Sequence, residues 1–146
     1  MTNHTEAHNL ALITGGSSGM GLEYARQLAA QGHDLLLVSI QQDELTNARR
    51  TLEEEFKIKV FIRFQDLATE DAAEDLHSYC KTVGLIPEIL VCNAGMFFFE
   101  ELTPDINRRA EAMIHLHVMT NTKLTVLFGE EMKKRGRGRI ILMSSM

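Results

Sequence analysis

The sequence predicts an α/β protein built on a doubly wound parallel sheet, and two observations support this prediction. Short apolar runs alternate with stretches of helical periodicity along the chain, which gives five strands separated by four helical stretches. The polar and glycine residues that stand out follow these apolar runs, at the carboxyl ends of the predicted strands. Because right-handed crossovers join parallel strands, helices should cover both faces of the sheet and a ligand should bind at that edge.

The first strand and the first helix flank a glycine-rich turn. Residues 10–13 form an apolar run suited to a strand covered on both faces, and apolar residues recur at helical spacing from Leu22 to Ala29 until Gly32 ends the helix. A strand-to-helix corner directs backbone N–H groups and the positive end of a helix dipole at one point, where glycine lets an anionic pyrophosphate approach. This turn is therefore the predicted phosphate site.

Four further strands follow, at residues 34–39, 57–64, 89–92 and 139–143. The strand at 34–39 contains an apolar run, residues 35–38, as in a strand buried on both faces, and residues 89–92 form another apolar strand. Residues 57–64 alternate instead, which places one set of side chains on one side of the strand: Ile58, Val60, Ile62 and Phe64.

The remaining helices are predicted from apolar residues at helical spacing, in residues 45–56 and 72–83. The last helical stretch opens with an N-cap, a first-turn proline and a first-turn acid (Thr103, Pro104 and Asp105) and runs toward Lys134. This stretch is longer than a usual globular helix, so we expect either two abutting helices or one bent helix.

Composition limits the function classes. The chain has 146 residues, enough for one domain with a sizeable core, and its formal net charge of −5 gives no general attraction to nucleic acid or an anionic membrane. The first residues lack the basic start and apolar core of a signal peptide, and no apolar run could span a bilayer. We therefore expect a cytoplasmic protein without nucleic-acid or membrane partners, with residues 1–8 disordered.

The two cysteines do not indicate a metal site or a disulfide. Cys80 and Cys92 are far apart in sequence, lie in apolar surroundings and form no Cys-x-x-Cys pair. We expect reduced, buried thiols and no bound metal.

The glycine-rich turn departs from the two most general nucleotide-binding motifs. The Rossmann fingerprint is Gly-x-Gly-x-x-Gly, whereas Gly15, Gly19 and Gly21 are spaced as Gly-x-x-x-Gly-x-Gly. A P-loop would end in Gly-Lys-Ser/Thr, which this turn does not. Residues 14–21 instead resemble the Thr-Gly-x-x-x-Gly-x-Gly cofactor loop of the short-chain dehydrogenase/reductase family. The alternative for this loop taken alone is an ordinary glycine-rich connection.

Two further segments resemble the same family. Residues 93–95, Asn-Ala-Gly, resemble its Asn-Asn-Ala-Gly signature along the cofactor, with Cys92 in place of the first Asn, although a plain turn would also use Asn and Gly. Asp66 and Leu67 resemble its Asp-hydrophobic pair that hydrogen-bonds adenine, although Asp66 alone could begin a helix.

The resemblance implies a nicotinamide cofactor, NAD(P), bound by residues at the strand ends. These are Thr14, Gly15, Ser17, Ser18, Gly19, Met20, Gly21, Ser39, Asp66, Leu67, Asn93, Ala94 and Gly95. An acid after the second strand would bind the ribose hydroxyls of NAD, and a base would favour NADP. Ser39 and Ile40 are neither, and because Ser39 could donate to a phosphate we expect a preference for NADP.

The candidate catalytic residues also come from the resemblance. Residues 138–145 resemble the family's fifth strand, which ends in a serine that hydrogen-bonds the substrate carbonyl, and this places that role on Ser145 with Ser144 second. His117 stands where the family has an asparagine that supports a proton relay. The alternative for His117 is a half-buried helix histidine without a chemical role.

The resemblance covers nearly the whole chain, residues 1–146, but only the N-terminal half of a typical family member, so we expect a sheet that is incomplete at the C-terminus. The family's proton donor is the tyrosine of a Tyr-x-x-x-Lys motif, and neither Tyr24 nor Tyr79 has a lysine four residues on. We therefore expect these residues alone to be inactive and to associate through an uncovered fifth strand. The complete protein would be a homo-oligomeric oxidoreductase acting on small carbonyl or alcohol substrates. The alternatives are a non-catalytic dinucleotide-binding or regulatory module, and a structural fragment that binds nothing.

Overall fold

The structure, a computed structural model, describes residues 9–98, 103–104 and 106–144, which form one parallel sheet flanked by helices. The strands are β1 (Leu10–Thr14), β2 (Asp34–Ser39), β3 (Val60–Phe64), β4 (Pro87–Cys92) and β5 (Arg139–Leu142). The helices are α1 (Gly19–Ala30), α2 (Gln42–Phe56), α3 (Ala72–Val83), α4 (Ile106–Ile114) and α5 (Asn121–Arg135), with a π-helical segment (His115–Thr120) between the last two.

The strand order in the sheet is β3-β2-β1-β4-β5, and each neighbouring pair is parallel. The chain runs outward from β1 to β3 and then returns to the other side of β1 with β4. The predicted doubly wound fold is therefore confirmed, and its switch point lies between β1 and β4.

The two faces of the sheet bury two separate cores because successive side chains on a strand point to opposite faces. On one face, Leu12 and Leu90 pack in one cluster with Phe128 of α5. On the other face, Ile13 and Val91 pack with residues of α1 and α2. All five residues of β1 are buried, as expected for a central strand covered on both sides.

The third strand is shorter than predicted. It begins at Val60, so Ile58 is buried in the connection before the strand. Phe64 is 60% exposed, although it continues the alternating pattern of Val60 and Ile62. It is the last residue of a strand at the edge of the described sheet, where fewer neighbours cover a side chain.

The long helical stretch is unbroken from Ile106 to Arg135, and the π-helical segment joins its two α-helical parts. The N–H of Ile106 donates to the carbonyl of Thr103 at 2.9 Å, so Pro104 lies in the turn before the helix and not in its first turn. Asp105 lies outside the described residues. Among the helices that the structure describes, none combines the length and apolar character needed to cross a membrane.

Candidate functional site

The carboxyl ends of β1 and β4 lie side by side at the switch point of the sheet, where ligands of doubly wound proteins bind. A cleft of about 390 Å³ opens there, between the turns that follow the first four strands. The residues predicted to bind cofactor that line it are Gly15, Ser17, Ser18, Met20, Ser39, Asp66, Leu67, Asn93, Ala94 and Gly95.

Thr14 ties the end of β1 to the turn after β4. Its side chain is fully buried, and its hydroxyl oxygen accepts the backbone N–H groups of Asn93 and Ala94, each at 3.0 Å. The same hydroxyl donates to the carbonyl of Val91 at 3.4 Å. Thr14 was predicted as part of the cofactor loop, and the structure places its side chain inside the protein, where it positions the cleft wall.

The glycines of the turn differ in what surrounds them. A Cβ on Gly21 would collide with the carbonyl of Gly15 and the side chain of Asn93, whose amide donates to that carbonyl at 3.2 Å. Gly21 therefore allows the close packing of α1 against the turn after β4. Gly19 has a φ of +54°, and a Cβ there would have no atom within 4 Å apart from its chain neighbours and the backbone of its own helix. Gly19 opens α1, so this open space lies beside the N-terminus of the helix, where the N–H groups of the first turn have no partner within the helix.

This cradle fits an anionic group such as a pyrophosphate. The positive end of the α1 dipole and its N-terminal N–H groups suit negative charge, and the glycine leaves the space that a ligand atom needs.

Asp66 and Leu67 form another part of the cleft wall. One carboxylate oxygen of Asp66 accepts the N–H of Ala68 at 2.9 Å, and α3 begins only at Ala72, so Asp66 does not begin the helix. Leu67 is buried, and its carbonyl accepts the hydroxyl of Thr120 at 2.7 Å. The end of the π-helical segment is thereby attached to the cleft.

A second cleft, of about 480 Å³, adjoins the first and shares several of its residues. Its lining is mainly apolar and consists of Met20, Asn93, Ala94, Gly95, Phe97, Met113, Ile114, His117, Val118, Met143 and Ser144. Phe97 is 65% exposed on the wall of this cleft. Ser145 lies outside the described residues.

His117 reaches this second cleft from the π-helical segment. Its Nε2 lies 3.1 Å from the backbone nitrogen of Met96 and 3.0 Å from the carbonyl oxygen of the same residue. The ring lies near that of Phe97, at 5.6 Å between centroids. The imidazole therefore braces the segment after β4, whichever ring nitrogen carries the proton, and its expected catalytic role stays a prediction.

Three polar side chains beside the glycine-rich turn form a contact that the sequence did not indicate. The hydroxyl of Ser17 lies 2.9 Å from that of Ser39 and 3.0 Å from a carboxylate oxygen of Glu44. Glu44 stands in the first turn of α2, where an acid is explained by the helix dipole alone, so no sequence signal distinguished it. The charge near the end of β2 is thus acidic, although Ser39 and Ile40 are neutral.

Both cysteines are free and buried, as predicted. Burial raises the pKa of the Cys92 thiol to about 12 and that of Cys80 to about 11. Because only thiolates react readily, we expect neither cysteine to be alkylated by iodoacetamide at pH 8 in the folded protein, and both in urea. Mass spectrometry measures the extent of alkylation, and rapid modification of Cys92 in the folded protein would contradict its placement at the end of β4.

Within the described ranges, no cluster of three or more His, Cys, Asp or Glu could hold a metal ion.

The fold and its two clefts define a dinucleotide-binding type of α/β protein. The chain belongs to the short chain dehydrogenase family, whose model matches residues 9–146. Very-long-chain 3-oxoacyl-CoA reductase from Macaca fascicularis is 32% identical over 143 residues, which takes in 92% of this chain and 44% of the relative. The chain thus spans less than half the length of the curated relatives it matches.

Solved structures show the same architecture. L-Sorbose reductase from Gluconobacter frateurii, complexed with NADPH and L-sorbose, superposes with a TM-score of 0.81 at 32% identity and covers 91% of this chain and 51% of its own. A short-chain dehydrogenase from Sphingobium yanoikuyae, in complex with NADPH, has a TM-score of 0.82 at 28% identity, with coverages of 90% and 51%.

Proposed function

We propose that the protein carrying this chain is an NAD(P)-dependent oxidoreductase that transfers hydride between the cofactor and a small carbonyl or alcohol substrate. The observation that carries the proposal is the pair of adjoining clefts at the switch point, which share Met20, Phe97 and the turn 93–95. The first cleft is lined by polar strand ends and adjoins the anion cradle at the first turn of α1, and the second is walled mainly by apolar side chains. Membership of the family supports this proposal.

The first cleft would hold the adenosine and pyrophosphate parts of the dinucleotide. The first turn of α1 binds the pyrophosphate, Asp66 accepts the exocyclic amine of adenine, and Ser39 faces the ribose. The turn 93–95 leads from this cleft into the second one. The cofactor, when bound, supplies or accepts the hydride.

The second cleft would hold the nicotinamide end and the substrate. Its apolar walls, which include Met113, Ile114 and Val118, exclude water and suit a substrate with an apolar body. Ser144 lies on this wall. The family resemblance implies that Ser145 orients the substrate carbonyl. His117 holds the loop at Met96 in place and so shapes the same cleft.

We further propose NADP as the preferred cofactor. The neutral pair Ser39 and Ile40 supports it, as do the NADPH-bound and NADP-bound states of similar solved structures. Three expectations from the sequence stay predictions: a cytoplasmic location, no nucleic-acid partner and a homo-oligomeric state. The mildly acidic net charge of −5 supports the expectation that nucleic acid is not a partner.

Isothermal titration of the folded protein with NADPH and NADH tests the proposed function. We expect both to bind with dissociation constants in the micromolar range or tighter, with NADPH the tighter. A panel of ketones and 3-oxoacyl thioesters, followed by the loss of NADPH absorbance, then tests turnover by the protein. Binding without turnover on any carbonyl would favour the non-catalytic module, failure to bind either dinucleotide would contradict the proposal as a whole, and a clear preference for NADH would contradict the NADP assignment.

A further inference from the structure

We infer that Glu44 is a specificity-determining residue whose carboxylate weakens binding of a dinucleotide that carries a phosphate on the 2′-hydroxyl of its adenosine ribose. The inference rests on the proposed function, since it concerns the ribose end of the proposed cofactor cleft. If Glu44 has this role, the preference of this chain for NADP over NAD is weaker than the neutral residues Ser39 and Ile40 alone would give.

The hydrogen bonds around Ser17 fix the direction of the hydroxyl protons. A carboxylate offers only acceptors, so Ser17 donates its single proton to Glu44 at 3.0 Å. The 2.9 Å contact between Ser17 and Ser39 is then satisfied by donation from Ser39. The oxygen of Ser39 also accepts the N–H of Gln41 at 3.1 Å. The proton of Ser39 is therefore used within the protein, and the donor expected for a 2′-phosphate is already engaged.

This chain of polar groups lies at the ribose end of the cleft. In doubly wound dinucleotide-binding folds, the residues after the second strand contact the ribose 2′-position. Ser17 and Ser39 both line the cleft, and Glu44 lines an adjoining hollow that shares Ser17 with the cleft and is also lined by Gly19. A phosphate on the 2′-oxygen would therefore lie close to a fixed carboxylate.

The cation that lines this hollow does not offset the carboxylate. Arg26 is directed to Glu55, with an Nη1 to Oε2 distance of 3.0 Å. A free 2′-hydroxyl is a donor and matches the acceptors of Ser39 and Glu44, whereas a phosphate adds like charge. Glu44 thus disfavours NADP relative to NAD in two ways. Its charge repels the 2′-phosphate, and its hydrogen bond with Ser17 leaves the proton of Ser39 engaged within the protein. It does so although it lies five residues after the end of β2.

Glu44→Gln tests this inference because it removes the charge and keeps the side-chain length and an acceptor for Ser17. We expect the ratio of the dissociation constant for NADH to that for NADPH to rise by about five- to tenfold in calorimetric titrations at low ionic strength. The effect on NADPH binding should shrink at high salt, because charges at an exposed site are screened.

Glu54→Gln is the matched control. Glu54 lies on the same helix, is exposed, and is 4.0 Å from Arg50, so its replacement changes the net charge equally and leaves the polar chain at Ser17 intact. We expect its NADH to NADPH ratio to equal that of the parent. Equal thermal unfolding of the two variants shows that both fold.

A parent protein that binds both cofactors, with the same ratio in Glu44→Gln as in Glu54→Gln, would overturn the inference and leave the proposed function standing. A parent protein that binds neither cofactor would overturn both. A ratio that shifts in Glu44→Gln but does not respond to salt would also count against a charge effect.

Discussion

Gly19→Leu should lower the affinity for NAD(P) by about a hundredfold, which corresponds to the loss of one or two charge-assisted hydrogen bonds. A Cβ at Gly19, at the N-terminus of α1, would point into open space, with no atom within 4 Å apart from its chain neighbours and the backbone of its own helix. A leucine side chain would fill this space and keep a pyrophosphate from the N–H groups of the first turn. Calorimetric titration of NADPH into the folded variant measures the change.

Gly136→Leu controls for backbone strain. Gly136 follows α5 and has a φ of +73°, and a Cβ there would also have no neighbour within 4 Å. A side chain in the left-handed region costs about 1–2 kcal/mol at either position, so both variants should lose similar stability in urea. We expect only Gly19→Leu to lose cofactor binding. Equal affinity in Gly19→Leu and the parent would mean that the phosphate site lies elsewhere.

The fold could be predicted because a central parallel strand is covered on both faces and its sequence is therefore an apolar run. Residues 10–13, 34–39 and 89–92 became strands for this reason, and their order along the chain, separated by helices, restricts the topology. The edge strand was less predictable. Phe64 continues the alternating pattern of β3, but alternation does not show where a neighbouring element stops covering the strand.

The location of the candidate site could be predicted, because the carboxyl ends of all strands in a parallel sheet meet at one edge. The roles of individual residues in the site were harder to predict. The hydroxyl of Thr14 serves two N–H groups that are almost 80 residues away along the chain, at Asn93 and Ala94, a partnership that depends on the register of β1 and β4. Glu44 and the π-helical segment that carries His117 have no local sequence signal, since an acid suits any helix start and the apolar spacing is ordinary.

The join between β1 and β4 is the second place where a single substitution should have a large effect. Thr14→Val keeps the shape and the β-branched side chain but removes the oxygen that accepts the N–H groups of Asn93 and Ala94 at 3.0 Å. Two partly buried donors then lose their partner, and we expect the free energy of unfolding to fall by about 2–4 kcal/mol. Urea denaturation should show a lower midpoint with an unchanged slope.

Thr14→Ser separates the hydrogen bonds from the packing, because serine keeps the hydroxyl oxygen and loses only a methyl group. Its unfolding free energy should fall by about 1 kcal/mol, the value of one buried methyl. Thr125→Val is a second control, since the hydroxyl of Thr125 donates only to the carbonyl of Asn121 within α5, and its loss should cost about 0.5 kcal/mol or less. Because the turn 93–95 walls both clefts, Thr14→Val should also weaken NADPH binding, whereas Thr14→Ser should retain it. If Thr14→Val were as stable as Thr14→Ser and bound NADPH equally well, the hydroxyl of Thr14 would not be the group that positions the cleft wall.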